Sequence, residues 1–201
     1  VKAHPAHPGV SELVATAIQR AVKATNMPQG VFSMVHSRGH DAGVALVKHP
    51  ATRAVGFTGS LAGGRALFDI AAARPNPIPV YAEMGSINPV FILPGALAQR
   101  AEQLAAGLVQ SVTLGAGQFC TNPGLVVAME SDALGSMMKQ TAVLIEQTAP
   151  ATMLYDGLCK AYAAGTARLE KTAGVSVVGR SSQSAAAERT QGAPAVFRTD
   201  A

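Results

Sequence analysis

The sequence predicts an α/β fold with a parallel sheet, because short strand-like segments alternate with longer helix-like ones. "RAVGF" (53–57) and "VYAEM" (80–84) are short and apolar, as buried strands are, and "SLAGGRALFDIAAAR" (60–74) between them has helical character. This alternation is typical of βαβ units. In addition, 48% of the 201 residues are hydrophobic and 14% are charged, a composition that supports a sizeable core and excludes a disordered chain.

The single elements are predicted from apolar periodicity and from turn-forming residues at their ends. Segment 11–25 carries apolar residues on one helical face behind Ser11, a candidate N-cap, and therefore predicts a helix. The other predicted elements are, in chain order, strand 30–35, helix 41–49, strand 53–57, helix 60–74, strand 80–84, strand 87–93, a helix within 95–114, strand 125–129, helices 131–148 and 153–170, strand 175–179 and an exposed loop at 181–191.

A second series of elements begins with the strand "INPVFIL" (87–93), which is followed by a long helix and by further strands and helices. We therefore predict two successive α/β units, 1–84 and 85–201. The sequence contains no internal repeat that would divide it differently.

Charge, cysteine content and hydropathy exclude several classes of protein. Lys and Arg are scattered singly despite a net charge of +4, so we expect no nucleic-acid partner. No apolar run approaches the roughly 18 residues of a membrane span, so we expect no membrane association. Two cysteines cannot form a disulfide framework, which favours a reducing compartment and predicts a cytoplasmic protein. His4 and His7 lie beside prolines without acidic or thiol ligands nearby, so no metal site is expected.

The stretch "GFTGSLAGG" (56–64) joins a predicted strand to a predicted helix. Glycines allow the backbone to approach a ligand closely, and the N-terminus of a helix offers free N–H groups to an anion. Ser60 could add a hydroxyl group to a bound phosphate. The stretch matches neither G-x-G-x-x-G nor the P-loop pattern, so a tight turn without a ligand is an alternative.

Glu83 and Cys120 are the candidate catalytic residues, and each has an alternative structural explanation. Glu83 ends an apolar strand, where ligands collect in open α/β sheets, but it could equally form a salt bridge at the sheet edge. Cys120 lies in "GAGQFCTNPG" (115–124), a turn that would expose the thiol beside backbone N–H groups able to stabilise an oxyanion. Free cysteines are, however, commonly buried, and Cys159 in a helical stretch is interpreted as a packing residue.

The order of these motifs resembles that of the aldehyde dehydrogenase superfamily. "GFTGS", "EMGSINP" and "GQFCTNPG" follow one another at similar separations, and the resemblance covers essentially the entire chain. "IPVYAEMGSINPVFILPGAL" is particularly similar to bacterial members that act on a small acidic semialdehyde, such as 2,5-dioxopentanoate. The resemblance implies part of a Rossmann-type cofactor domain in 1–84 and part of the catalytic, cysteine-bearing domain in 85–201.

The resemblance also implies a mechanism. Cys120 would attack the aldehyde carbonyl to give a thiohemiacetal, which loses hydride to the nicotinamide and becomes a thioester. Glu83 would activate the water that hydrolyses this thioester to the carboxylic acid. A CoA-acylating dehydrogenase is an alternative, although such enzymes usually differ at the position of Glu83. A non-catalytic relative would be expected to lack Cys120 or Glu83.

NADP or NAD is the cofactor that the resemblance implies. The residues that match cofactor contacts of the family are Lys2, Gly39, Gly43, Thr58, Gly59, Ser60, Gly64 and Met84. Many NAD-preferring members carry a glutamate three residues after the lysine, and this chain has Pro5 there. Without that carboxylate a 2′-phosphate is not repelled, so we expect NADP to be accepted.

Family members are more than twice as long as this chain, so we expect it to be an internal piece of a longer polypeptide. It would lack the asparagine that completes the oxyanion hole and the glutamate that holds the nicotinamide ribose. We therefore expect the 201 residues alone to be inactive. The resemblance further implies that the parent enzyme is a homo-oligomer that acts on a small aldehyde.

Overall fold

A computed structural model describes residues 1–200 and divides the chain into two compact units. The first unit comprises Val1–Gly85, and the second begins at Ser86. Both contain a parallel pair of strands accompanied by helices, so the predicted α/β class is confirmed.

The first unit contains three helices and two strands, and it includes the predicted βαβ arrangement. Its elements are α1 (Pro8–Ala24), α2 (Asp41–Lys48), β1 (Val55–Gly59), α3 (Leu61–Ala72) and β2 (Val80–Met84). Strands β1 and β2 are parallel, with Val55 opposite Val80 and Gly59 opposite Met84. Because parallel neighbours point the same way, their carboxyl ends lie side by side at one edge.

The second unit contains a parallel pair and two antiparallel pairs of strands. Its elements are β3 (Pro89–Ile92), α4 (Pro94–Thr113), a 3₁₀ turn (Leu114–Gly117), β4 (Leu125–Ala128), α5 (Asp132–Gln147), β5 (Ala151–Thr152), α6 (Asp156–Glu170), β6 (Val175–Arg180), a second 3₁₀ turn (Ala187–Arg189), β7 (Gln191–Gly192) and β8 (Ala195–Thr199). Strand β3 pairs with β4 in parallel, whereas β5 with β7 and β6 with β8 are antiparallel.

The hydrophobic core of the second unit lies between helices α4 and α5 and the β3–β4 pair. Its buried members are Ile92, Leu97, Ala105 and Met137. Leu97 and Met137 retain at most 3% of their surface. This packing fixes α4, which leads into the 3₁₀ turn and then into the cysteine-bearing turn.

Two predictions for the N-terminal region are wrong. The helix begins at Pro8, and Ser11 lies inside it, where its hydroxyl donates to the carbonyl of His7 at 2.7 Å. Proline is favoured in the first turn of a helix, which explains the earlier start. Segment 30–35 forms no strand: only Val35 makes an isolated parallel bridge, to Lys2, and Gly30 has a φ of +81° that interrupts extended structure.

The C-terminal region contains strands that were not predicted. Strand β8 pairs antiparallel with β6, and the short β7 pairs antiparallel with β5, so the second unit contains antiparallel pairs in addition to its parallel β3–β4 pair. Segment 181–191 is largely irregular, apart from the 3₁₀ turn and the first residue of β7.

Candidate active site

The carboxyl ends of β1 and β2 bring several predicted site residues of the first unit together. Thr58 lies opposite Glu83, and Gly59 lies opposite Met84. Side chains alternate between the two faces of a strand, so Thr58 and Glu83 share one face, and both are exposed. No salt bridge is formed by Glu83 within residues 1–200. The salt-bridge alternative therefore receives no support from this structure.

The glycine-rich stretch forms a turn that opens helix α3. Ser60 is the N-cap, and its hydroxyl oxygen accepts a hydrogen bond from the backbone N–H of Gly63 at 3.1 Å. The N–H groups of Leu61 and Ala62 donate no hydrogen bond in the described part of the chain. Together with the partial positive charge of a helix N-terminus, these donors fit the diphosphate of a dinucleotide.

The glycines of this turn also have a packing role. A Cβ atom on Gly64 would overlap the thioether of Met84, and one on Gly59 would lie 2.6 Å from Cζ of Phe57. Gly64 is buried against β2 as a result. Gly64 thus allows α3 to approach β2 closely, whether or not a ligand is bound, whereas the contact at Gly59 is with a side chain of its own strand, β1.

Lys2, Gly39 and Gly43 lie elsewhere in the first unit. The N–H of Ala3 donates to the carbonyl of Val35 at 2.9 Å, so the segments that lead to Pro5 and to Gly39 run side by side. Gly43 lies in α2, and a Cβ atom there would meet nothing within 4 Å. Packing within this chain does not require glycine at position 43.

In the second unit, Cys120 lies on an exposed turn between the first 3₁₀ turn and β4. Three successive residues before it, Gly115 to Gly117, have positive φ angles of 57° to 72°. Glycine adopts this left-handed conformation readily, and it reverses the chain after α4. Among residues 1–200, no hydrogen bond is donated by the backbone N–H of Cys120. The thiol and an unpaired N–H group are therefore both available at this turn.

Side-chain amides brace the cysteine turn, and sequence reasoning assigned them no role. Asn88 donates to the carbonyls of Cys120 and Asn122, and Asn122 donates to the carbonyl of Gly117 at 2.9 Å. Gln118 donates to the carbonyl of Gly115 at 2.9 Å. The only sequence signal was that these amides lie inside the motifs "GSINP" and "GQFCTNPG".

The remaining candidates carry no comparable site. Cys159 is half-buried in α6, and its thiol donates to the carbonyl of Gln191 at 3.2 Å. The part of the chain that the structure describes holds no group of three or more His, Cys, Asp or Glu side chains able to bind a metal ion. Within it, no helix is both long and apolar enough to cross a membrane.

Glu83 thus belongs to the first unit, with the glycine turn, and Cys120 belongs to the second, with the bracing amides. Glu83 is exposed at the strand end beside the glycine turn, and Cys120 is exposed on a turn where its own backbone N–H donates no hydrogen bond among the residues described.

The chain is similar to curated proteins over most of its length. It is 52% identical over 179 residues to "Alpha-ketoglutaric semialdehyde dehydrogenase 2" of Azospirillum brasilense, which covers 89% of this chain and 34% of that protein. It is 44% identical over 164 residues to "Alpha-ketoglutaric semialdehyde dehydrogenase" of Acinetobacter baylyi, covering 82% of this chain and 31% of that protein. The chain thus spans about a third of the length of these relatives.

The fold agrees with this similarity. The crystal structure of an NAD-dependent aldehyde dehydrogenase from Sinorhizobium meliloti superimposes with a TM-score of 0.75 at 23% identity, over 98% of this chain and 39% of that one. The sequence profile of the aldehyde dehydrogenase family matches residues 2–153, which include the glycine turn, Glu83 and Cys120. The chain therefore belongs to the aldehyde dehydrogenase family.

Proposed function

We propose that this chain supplies the nucleophile, the deacylating base and part of the cofactor site of an enzyme that oxidises an aldehyde to a carboxylic acid. The observation that carries the proposal is the exposed Cys120, whose backbone N–H is unpaired while the turn around it is braced. The first unit would belong to the cofactor domain and the second to the catalytic domain. Two free thiols fit a reducing, cytoplasmic location.

Cys120 would act as the thiolate and attack the carbonyl carbon of the aldehyde. The new C–S bond turns the carbonyl oxygen into an oxyanion, which can accept a hydrogen bond from the N–H of Cys120. Loss of hydride from the carbon of this thiohemiacetal leaves a thioester on Cys120. Glu83 would take a proton from water, which then attacks the thioester and releases the acid and the thiol.

A nicotinamide dinucleotide, when bound, supplies the acceptor for the hydride. The turn at Gly59 and Ser60 and the free N–H groups at the start of α3 would hold its diphosphate. Lys2 and the open position at Gly43 would lie on the adenosine side, as the family resemblance implies. Thr58 and Met84 would shape the strand ends beneath it, and Gly64 the first turn of α3 beside them.

We propose a small acidic semialdehyde as the substrate, because both curated relatives carry alpha-ketoglutaric semialdehyde in their names. A homo-oligomer is the expected state of the complete protein.

The proposal is tested by steady-state oxidation of 2,5-dioxopentanoate in the complete protein, followed through the absorbance of the reduced cofactor. Cys120→Ala should reduce turnover to background because the nucleophile is lost. Cys159→Ala is the matched control and should retain the wild-type rate, because that thiol lies against β7. Turnover that survives Cys120→Ala would refute the proposed function.

A further inference from the structure

The carbonyl oxygen of Cys120 is held by two side chains that precede β3. The hydroxyl of Ser86 donates to it at 2.5 Å, and the amide nitrogen of Asn88 donates to it at 2.6 Å. The same amide nitrogen donates to the carbonyl of Asn122 at 2.9 Å. An amide NH₂ group has two N–H donors, so one side chain can bind both carbonyls. Asn88 thereby clamps the turn on either side of Thr121.

Asparagine is well suited to position 88 for two separate reasons. Its backbone has a φ of +48°, which asparagine tolerates better than most non-glycine residues. Its side chain is partly buried and faces two carbonyl oxygens, so it must supply donors. Aspartate would keep the backbone conformation but would place a carboxylate against these oxygens, where no N–H is left to pair with them.

The clamp fixes the backbone of Cys120 without using the groups that would react. Both clamp bonds that Cys120 receives go to its carbonyl oxygen, while its N–H donates no hydrogen bond among the residues described and its side chain is exposed. Restricting this carbonyl restricts rotation of the backbone at Cys120, and with it the directions of the Cα–Cβ bond that carries the thiol and of the N–H. Catalysis depends on such directions, because small misplacements of reacting groups are costly.

We propose that Asn88 is a positioning residue for the nucleophile: through the carbonyls of Cys120 and Asn122 it holds the thiol and the oxyanion-binding N–H of Cys120 in their reactive orientation. This inference rests on the proposed function of Cys120. Ser86 contributes to the same clamp: its hydroxyl donates to the carbonyl of Cys120 and accepts a hydrogen bond from the Asn88 amide at 3.3 Å.

The test compares Asn88→Gly and Asn88→Asp with wild type in the complete protein. Glycine accepts a positive φ, so Asn88→Gly removes the amide without straining the backbone. Asn26→Gly is the matched control, since Asn26 also has a positive φ, of 51°, but lies at the end of α1. Ser86→Ala removes only one clamp bond and serves as the milder variant if Asn88→Gly does not fold.

Two readouts are required. In Asn88→Gly, kcat should fall by about 10- to 100-fold while KM for the cofactor changes by less than about twofold, because orientation and not binding is impaired. The rate of iodoacetamide alkylation of Cys120, measured by peptide mass as a function of pH, should also change, while that of Cys159 stays the same. Asn88→Asp should be at least as impaired, Ser86→Ala less so, and Asn26→Gly not at all.

The outcomes separate this inference from the proposed function. Wild-type kcat and an unchanged alkylation profile in Asn88→Gly, or in Ser86→Ala if the glycine variant is unfolded, would overturn the positioning role. Equal changes at Cys120 and Cys159 would also overturn it, since they would indicate general loosening of the unit. The alkylation profile needs no turnover, so it reports on the clamp even if Cys120 proves not to be the nucleophile.

Discussion

The two cysteines of the chain differ in what surrounds them rather than in residue type. Cys120 is exposed on a turn whose carbonyls are held by side-chain amides, whereas the thiol of half-buried Cys159 donates to the backbone of Gln191. A thiolate needs access to its electrophile and hydrogen-bond donors near the site of reaction. Only Cys120 combines exposure with an adjacent unpaired backbone N–H in the structure of residues 1–200.

Replacing Glu83 with Gln should separate the two halves of the proposed reaction. The nucleophile is retained, so about one equivalent of reduced cofactor per site should form in a burst, and turnover should then stall at the thioester. Loss of a general base costs about 10²- to 10⁴-fold in the step that it serves. Rapid-mixing absorbance measurements on the complete protein resolve the two phases.

Glu102→Gln is the control for this experiment, because Glu102 is an exposed carboxylate on α4 outside the site. It should show wild-type steady-state turnover. If Glu83→Gln does the same, Glu83 is not the deacylating base.

At this scale, the sequence predicted candidate reactive residues, which remain a proposal, but not the side chains that support the cysteine turn. Cys120 and Glu83 were recognised because cysteine and carboxylate chemistry combine with a motif order that is specific to a family. The role of Asn88 depends on a hydrogen bond between residues 32 positions apart, which no local pattern encodes. Its amide could be assigned only when the structure placed it against the carbonyl of Cys120.

At the scale of elements, close backbone contacts decide which glycines are needed. A Cβ atom on Gly179 in β6 would lie 2.7 Å from Cα of Ala142 in α5, so backbone would have to move. Gly179→Ala should destabilise the protein by about 1–3 kcal/mol, the usual cost of overpacking. Equilibrium denaturant unfolding measures this change.

Gly165→Ala is the matched comparison for Gly179→Ala. Gly165 lies inside α6, and a Cβ atom there would meet nothing within 4 Å. Alanine is favoured over glycine in a helix by about 0.8–1 kcal/mol, so this variant should be more stable than wild type. Equal effects of the two substitutions would show that the β6–α5 contact is not as close as described.

Tyr162 should make stability depend on pH in the alkaline range. Burial raises the pKa of its phenol above the ordinary value of 10.0, and its hydroxyl donates to the carbonyl of Ala193 at 2.6 Å. The folded state then holds the proton more tightly than the unfolded state. The contribution is complete below about pH 10 and is lost as the pH rises through the folded-state pKa.

The measurement is the free energy of unfolding between neutral and strongly alkaline pH, for wild type and Tyr162→Phe. The variant should be less stable at neutral pH by about 0.5–1.5 kcal/mol, the net value of a hydrogen bond. The difference between the two proteins should shrink as the pH rises. A difference that stays constant would contradict the assignment.

Predicted elements agree best with the observed ones where a long apolar pattern is bounded by turn-forming residues. Strand 80–84 was predicted with its observed bounds, and the helix expected within 95–114 is observed at Pro94–Thr113. Segment 30–35 has strand composition but pairs only at Val35, so tertiary context overrides its propensity. Strand β8 was missed because its stability comes from antiparallel pairing with β6, which sequence periodicity does not reveal.

At the scale of the whole molecule, the sequence predicts that the enzyme accepts NADP as its cofactor. Pro5 is exposed and stands where many NAD-preferring family members carry a glutamate. In the complete protein, kcat/KM for NADP should therefore be at least comparable with that for NAD. Pro5→Glu should shift the ratio toward NAD by about 1–3 kcal/mol, the value of a charge-assisted hydrogen bond to the ribose.

Pro5→Gln controls for loss of the proline alone and should shift the ratio much less, because it adds no charge. A strong preference of the wild type for NAD would contradict the prediction. So would a Pro5→Glu variant whose selectivity is unchanged.

The family could be inferred from the sequence because three motifs occur in one order. The structure contains two units, each with a parallel pair of strands, and the family profile matches residues 2–153, which contain all three motifs. Substrate choice is not accessible in the same way. The motifs carry candidate residues for the cofactor, the nucleophile and the base. The proposed substrate comes only from the names of two relatives, of whose length this chain spans about a third.

Mass spectrometry can locate the covalent intermediate and thereby show whether Cys120 is the nucleophile. Glu83→Gln in the complete protein is mixed with 2,5-dioxopentanoate and NADP, quenched in acid and digested. We predict an acyl adduct on the peptide that contains Cys120 and none on the peptide that contains Cys159. An adduct on Cys159, or cofactor reduction without any adduct on Cys120, would contradict the account.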